Sequence, residues 1–248
     1  MVIMSGAVPG GPPPAARRVA DAVPEEGSVR GVAVDVALVL AIDVSGSISE
    51  DRMRLQIEGY AKALQHPDFL QAVSGGHQGR IALTFVEWSE ARRQSQAVGW
   101  RIISRAEDRE RFIKDLMQAE KPMPGWTSIS AAIDYCVRIL HDSGLVTGRK
   151  VIDVSSDGVN NDGRSVTAAR DDAVAAGVTI NGLPIVEIDP ALDAYYRANV
   201  IGGADSFVIV ARDMENFAEA ILRKLLVEVA AGPHGLVRQD GVDRKSVV

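Results

Sequence analysis

The sequence predicts a Rossmann-like, doubly wound α/β fold: a mostly parallel six-stranded sheet with one antiparallel edge strand and helices on both faces. Three observations carry this. Val34 to Ile42 (VDVALVLAI) is a near-continuous run of β-branched and aliphatic residues, the pattern of a central parallel strand covered on both sides. Strand-like runs then alternate with helix-period runs, which argues for right-handed βαβ crossovers. The 248 residues are 46% apolar and 24% charged, ordinary values for a globular domain and unlike a disordered, collagen-like or coiled-coil chain.

After the first strand, Met53, Ile57, Tyr60, Ala61 and Leu64 share one face of an amphipathic helix that Pro67 closes after His66. Arg80 to Glu87 and about Gln94 to Ile103 are β-prone runs joined by a short polar turn, which suits an antiparallel hairpin. A helix carrying Phe112, Ile113, Leu116 and Met117 follows, and Pro122, Pro124 and Gly125 break it. The next helix places Ile129, Ala132, Ile133, Cys136, Val137 and Leu140 on one stripe, with Gly144 as its C-terminal stop. Cys136 thus reads as a buried, inert thiol with no basic neighbour to activate it. Strand Lys150 to Ser155, helix Arg164 to Ala176, strand Val178 to Ile185, helix Pro190 to Val200, strand Ser206 to Val210 and helix Met214 to Val229 complete the series.

The domain is expected within residues 31–230, between a flexible proline-rich leader (1–30) and a flexible tail (231–248). No apolar run follows Arg17 and Arg18 as a secretory signal requires, and the longest apolar stretch, Val32 to Val44, is interrupted by Asp35 and Asp43. These features predict no membrane span and leave the compartment open. The 27 basic and 33 acidic residues give a net charge of −6, without the basic field of a nucleic-acid binder. A single cysteine makes no internal disulfide.

In doubly wound sheets, ligands bind beyond the C-terminal ends of the strands, where strand order reverses. With order 3-2-1-4-5-6, the first and fourth strands are neighbours there. The first ends in Asp43-Val44-Ser45-Gly46-Ser47, the fourth in Ser155-Ser156-Asp157-Gly158, and the loop before the Ile129 helix offers Gly125-Trp126-Thr127-Ser128. These are oxygen donors, suited to a hard cation such as Mg²⁺ or Mn²⁺. No histidine lies near them, so a nucleophile with its general base is not evident. Read singly, the residues have structural uses: Ser47-Ile48-Ser49-Glu50 fits a capping box, Thr127 or Ser128 an N-cap, and Asp157-Gly158 a turn.

Asp43-x-Ser45-x-Ser47 with Thr127 and Asp157, flanked by LVLAIDVSGSI, GWTSISAAI and VIDVSSDG, resembles the metal-ion-dependent adhesion site of von Willebrand factor type A (vWA) domains over about residues 34–229. LQIEGYAKAL, IALTFVEWS and SSDGVNNDG further resemble a bacterial subfamily of such domains whose role is uncharacterised. The resemblance implies a vWA fold and a non-enzymatic module that captures an acidic side chain of a protein partner through one Mg²⁺ or Mn²⁺. It implies Ser45 and Ser47 as direct ligands, Thr127 as direct or water-mediated, and Asp43 and Asp157 as acting mainly through water. Trp126, Asn160 and Asn161 are candidate rim residues, and Glu87-Trp88 ends its strand beside the same crevice. The competing readings are a metal-dependent hydrolase or phosphatase with Asp43 or Ser45 as nucleophile, and a structural assembly domain with a vestigial site.

Overall fold

The computed structural model describes residues 29–119, 125–213 and 216–230. The tail and all of the expected leader except Val29 and Arg30 lie outside these residues, as do Pro122, Pro124 and the predicted start of the last helix at Met214. The sheet contains β1 (Ala37–Asp43), β2 (Ile81–Trp88), β3 (Gln94–Ile103), β4 (Lys150–Ser156) and β5 (Val178–Pro184), in the order β3-β2-β1-β4-β5. Strand β1 is buried along its whole length and pairs in parallel with β2 and β4, whereas β3 runs antiparallel at the edge. The burial of β3 is intermittent, as expected of a strand with only one neighbour.

Helices α1 (Glu50–Gln65), α2 (Pro67–Ser74), α3 (Ala106–Leu116) and α7 (Phe217–Ala230) cover one face, where Tyr60, Phe69, Phe112 and Phe217 pack on Leu38, Leu40, Leu83 and Phe85. The other face is covered by α4 (Ile129–Asp142), α5 (Val166–Ala175) and α6 (Leu192–Tyr195), which packs through a continuing π-helical turn at Tyr196–Val200. Cys136 is fully buried in this second layer, and burial pushes its thiol pKa up. Gly182 on β5 lets the π turn approach: a Cβ there would lie 2.5 Å from the Tyr196 ring.

The structure corrects three expectations. First, α2 was not foreseen: Pro67 ends α1 but also occupies the first turn of a new helix. Extended His66, with ψ 135°, caps both, and its Nδ1 accepts from the Asp68 backbone N–H at 3.3 Å. Second, among the described residues the sheet has five strands rather than six. The segment expected as the sixth makes only isolated parallel bridges, Gly182 to Val208 and Ile185 to Ala211. Gly182 donates to the Phe207 carbonyl and Ile209 donates back to Gly182; Ala211 donates to the Pro184 carbonyl and Val186 donates to Ala211. The bond that would join these two pairs requires an N–H on Pro184, and proline has none. Third, the residues expected as one helix from Pro190 divide into a four-residue α segment and the π turn.

Strand β1 lies between β2 and β4, the following helix α1 sits on one face, and α5 after β4 sits on the other. Chain direction therefore diverges at the C-terminal ends of β1 and β4. This is the switch point at which a crevice opens.

Candidate metal centre

Asp43 is the last residue of β1 and is fully buried. Its Oδ1 accepts from the Ser45 backbone N–H at 2.7 Å, and its Oδ2 accepts from Ser156 Oγ at 2.5 Å. Burial raises its carboxyl to about 7; the hydrogen bonds from Ser156 and Ser45 oppose the shift, and the nearby Asp157 charge adds to it. Asp43 thus ties the β1 loop to β4 while fixing the turn that presents Ser45.

From that turn a run of side-chain oxygens crosses the crevice. Thr127 Oγ1 donates to Ser45 Oγ at 3.1 Å, Ser45 Oγ lies 3.4 Å from Ser47 Oγ, and Ser47 Oγ donates to Asp157 Oδ1 at 2.6 Å. All five residues expected from the sequence are brought together. Ser45, Thr127 and Asp157 are buried, and Ser47 is exposed at the mouth. The capping-box reading of Ser47 does not hold. Ser49 is the N-cap of α1 and accepts from the Arg52 N–H at 3.3 Å, leaving the Ser47 hydroxyl for Asp157. Ser128 occupies the cap position of α4 without a side-chain capping bond; its Oγ donates to the Asp162 carbonyl at 2.9 Å.

The loops that carry these groups are fastened to one another. Gly46 donates to the Gly125 carbonyl and Ser128 to the Ser89 carbonyl. Asn161 Oδ1 accepts from the Thr127 N–H at 2.8 Å, while Asn161 and Asp162 donate back to the Thr127 carbonyl. Asn160 Oδ1 accepts from the Ser130 N–H at 2.9 Å, and its amide donates to the Asp162 and Arg164 carbonyls. The Asn161 side-chain carbonyl thus positions Thr127, and the Asn160 side chain ties its own loop to the start of α4. Trp126 is 66% exposed beside it, a large apolar side chain at the surface. Trp88 and Glu87 are both buried and do not line the opening.

The hydroxyls of Ser45, Ser47 and Thr127 and the carboxylate of Asp157 are oxygen donors within a few ångströms of one another. Asp157 Oδ2 is buried and accepts no hydrogen bond; the charge facing it is the Arg52 guanidinium, 3.5 Å away. Among the described residues no three His, Cys, Asp or Glu side chains gather in a metal-holding group, so an ion here would depend on hydroxyl ligands. The set fits Mg²⁺ or Mn²⁺ better than a softer ion.

Three residues at the site have roles that the sequence does not assign. Ser156, the partner of Asp43, belongs to the strand-end run Ser155-Ser156-Asp157-Gly158, but only its place at the end of a buried strand signals its role. Arg52, from the first turn of α1, places a guanidinium nitrogen 3.5 Å from Asp157 Oδ2 and another 3.1 Å from Glu187 Oε2. Neither Arg52 nor Glu187 carries a spacing signal that links it to the motif.

A sequence-family model, described as Protein of unknown function (DUF1194), matches residues 33–233. No curated protein matches the sequence. Among solved structures, the vWF domain of the type V pili tip protein Mfa5 from Porphyromonas gingivalis superposes with a TM-score of 0.57 at 12% identity, over 82% of this chain and 98% of that one. Proximal thread matrix protein 1 from the mussel byssus, in a structure with a zinc-occupied MIDAS motif, gives 0.55 at 14% identity, over 80% of this chain and 49% of its own. A von Willebrand factor type A protein from Catenulispora acidiphila gives 0.54 at 16%, over 79% and 43%. The chain thus spans less than half of the mussel and Catenulispora proteins. At these identities the likeness concerns the fold, and the fold is that of a vWA domain.

Proposed function

We propose that this chain, which belongs to the family described as Protein of unknown function (DUF1194), is a protein-binding module that holds Mg²⁺ or Mn²⁺ at the β1–β4 switch point and captures an acidic group of a protein partner. The observation that carries this reading is the hydrogen-bonded run Thr127–Ser45–Ser47–Asp157, which ends on a buried carboxylate oxygen with no hydrogen bond. Ser45, Ser47 and Thr127 supply hydroxyl oxygens, Asp157 supplies negative charge, and Asp43 holds the Ser45 turn in place. A bound ion with mostly neutral direct ligands stays electrophilic and accepts a carboxylate oxygen from outside the chain. The pilus-tip neighbour agrees with a role in protein interaction, and the zinc-occupied motif of the mussel protein agrees with divalent metal at such a site.

The local chemistry favours binding over turnover. Both Asp43 oxygens accept hydrogen bonds in a fully buried position, and Ser45 Oγ has hydroxyl neighbours rather than a histidine base. The melting temperature in chelator is expected to rise in millimolar Mg²⁺ or Mn²⁺. A cation that binds only the folded state adds about 2.7 kcal/mol at about 100 times its Kd. Asp157→Ala should abolish the rise; it is a better probe than Asp43→Ala, which also removes the anchor to Ser156. An unshifted wild-type melting temperature, or a rise retained in Asp157→Ala, would overturn the assignment. Metal-dependent ester or phosphate hydrolysis lost in Ser45→Ala would support the hydrolase alternative instead.

A further inference from the structure

Arg52 has no part in the cation reading above, yet it is the positive charge the structure places against Asp157. Its guanidinium spans two carboxylates, Asp157 at 3.5 Å and Glu187 at 3.1 Å. Two of its nitrogens, Nε and Nη2, are buried and make no hydrogen bond, so the guanidinium retains donors for another acceptor. Exposure differs between the partners. The Arg52 side chain is 19% exposed, whereas that of Glu187, in the segment after β5, is 42% exposed. Glu187 can therefore leave toward water at small cost, while Arg52 stays beside the site.

We propose that Arg52 is a second, protein-borne cation of the carboxylate-binding site and that Glu187 is its resident counter-ion, replaced on Arg52 by the partner's carboxylate when that group engages the metal. The inference rests on the proposed metal centre. It makes the partner's group a carboxylate held between a metal and a guanidinium, a planar fork that matches the two oxygens of such a group. It also gives the two ligands opposite dependences on one residue. The Arg52 charge repels a divalent ion held near Asp157 and attracts a carboxylate arriving from outside.

The test uses Mn²⁺ and a blocked Gly-Asp-Gly tripeptide as probes. Mn²⁺ affinity is read from the free-ion electron paramagnetic resonance signal, and peptide affinity from broadening of the peptide protons by bound Mn²⁺. Arg52→Gln is expected to tighten Mn²⁺ by about 3–10-fold and weaken the peptide by about 3–10-fold, the range for a partly exposed charge a few ångströms away. Glu187→Gln, at an exposed position that does not threaten folding, should shift both the other way, and Arg52→Lys should restore part of the peptide affinity. If Mn²⁺ binds but Arg52→Gln leaves both affinities unchanged, or lowers both, the role of Arg52 is overturned while the metal centre stands. If the wild type binds no Mn²⁺, the metal centre falls and this inference with it.

Discussion

Replacing Lys224 with Met is expected to cost about 3–5 kcal/mol of folding free energy, read as a lowered urea midpoint at unchanged m-value. Lys224 projects from α7 into the sheet, fully buried, with its Nζ 2.7 Å from Asp153 Oδ1 on β4 and 2.6 Å from Glu228 Oε1 one turn along α7. Asn181 on β5 donates to the same Glu228 oxygen at 2.9 Å, and its own Oδ1 accepts from the Phe207 N–H at 3.1 Å. Apart from the ammonium, Asp153 has no hydrogen-bond partner for either oxygen, and Glu228 has none for Oε2. Removing the ammonium leaves two carboxyl groups facing each other in a site without solvent, and both must be neutralised or the helix must lift. The penalty belongs to the orphaned acids, not to the lost attraction. Lys224→Met combined with Asp153→Asn and Glu228→Gln should therefore recover most of the loss. A single Lys224→Met variant within about 1 kcal/mol of wild type would show that α7 is held by Phe217, Ile221 and Leu225 alone.

This cluster also marks the limit of what a linear reading extracts. Lys224 and Glu228 sit at helical spacing from Phe217 and Ile221, on the buried stripe itself, and Asp153 interrupts an apolar strand. A signal existed, but nothing in a sequence says which charged residue on a stripe meets which on a strand, because their pairing is set by how α7 crosses β4. The five oxygen-bearing site residues were legible for the opposite reason. In a doubly wound sheet the strand ends are fixed by the periodic pattern, so residues just beyond Asp43 and Ser156 must converge whatever the loop details. Arg52, Glu187 and the loop-fastening roles of Asn160 and Asn161 depend on rotamers and loop paths, which periodicity does not encode. The same division holds for the fold: β1 and the Ile129 helix announce themselves over many residues, whereas α2 and the interrupted sixth strand each turn on one proline.

Stability in chelator is expected to fall by about 2–4 kcal/mol between pH 5 and pH 8, with Asp43, Glu87 and Asp153, the buried acids whose carboxyls are raised to about 7, as the groups responsible. Glu87, near the end of β2, is 2% exposed and its Oε1 has no hydrogen bond; burial alone pushes its carboxyl from 4.5 up to about 7. Asp153 rises from 3.8 to about 7, chiefly through burial, with Lys224 opposing and Glu228 reinforcing the shift. Between the ordinary carboxyl range and pH 7 the folded chain holds protons that the unfolded chain has released. Raising the pH through that window therefore favours unfolding, and above about 7 the loss levels off because both states are ionised. Glu87→Gln separates its own contribution from those of Asp43 and Asp153, since the amide has nearly the same shape and no charge to desolvate. It should gain on wild type by about 1–3 kcal/mol between pH 4 and pH 8, so that the two stability curves diverge with rising pH. Parallel curves would mean that Glu87 ionises without penalty in the folded state, and the remaining slope would then be assigned to Asp43 and Asp153, the Asp153 share being tested by its loss in Asp153→Asn paired with Lys224→Met.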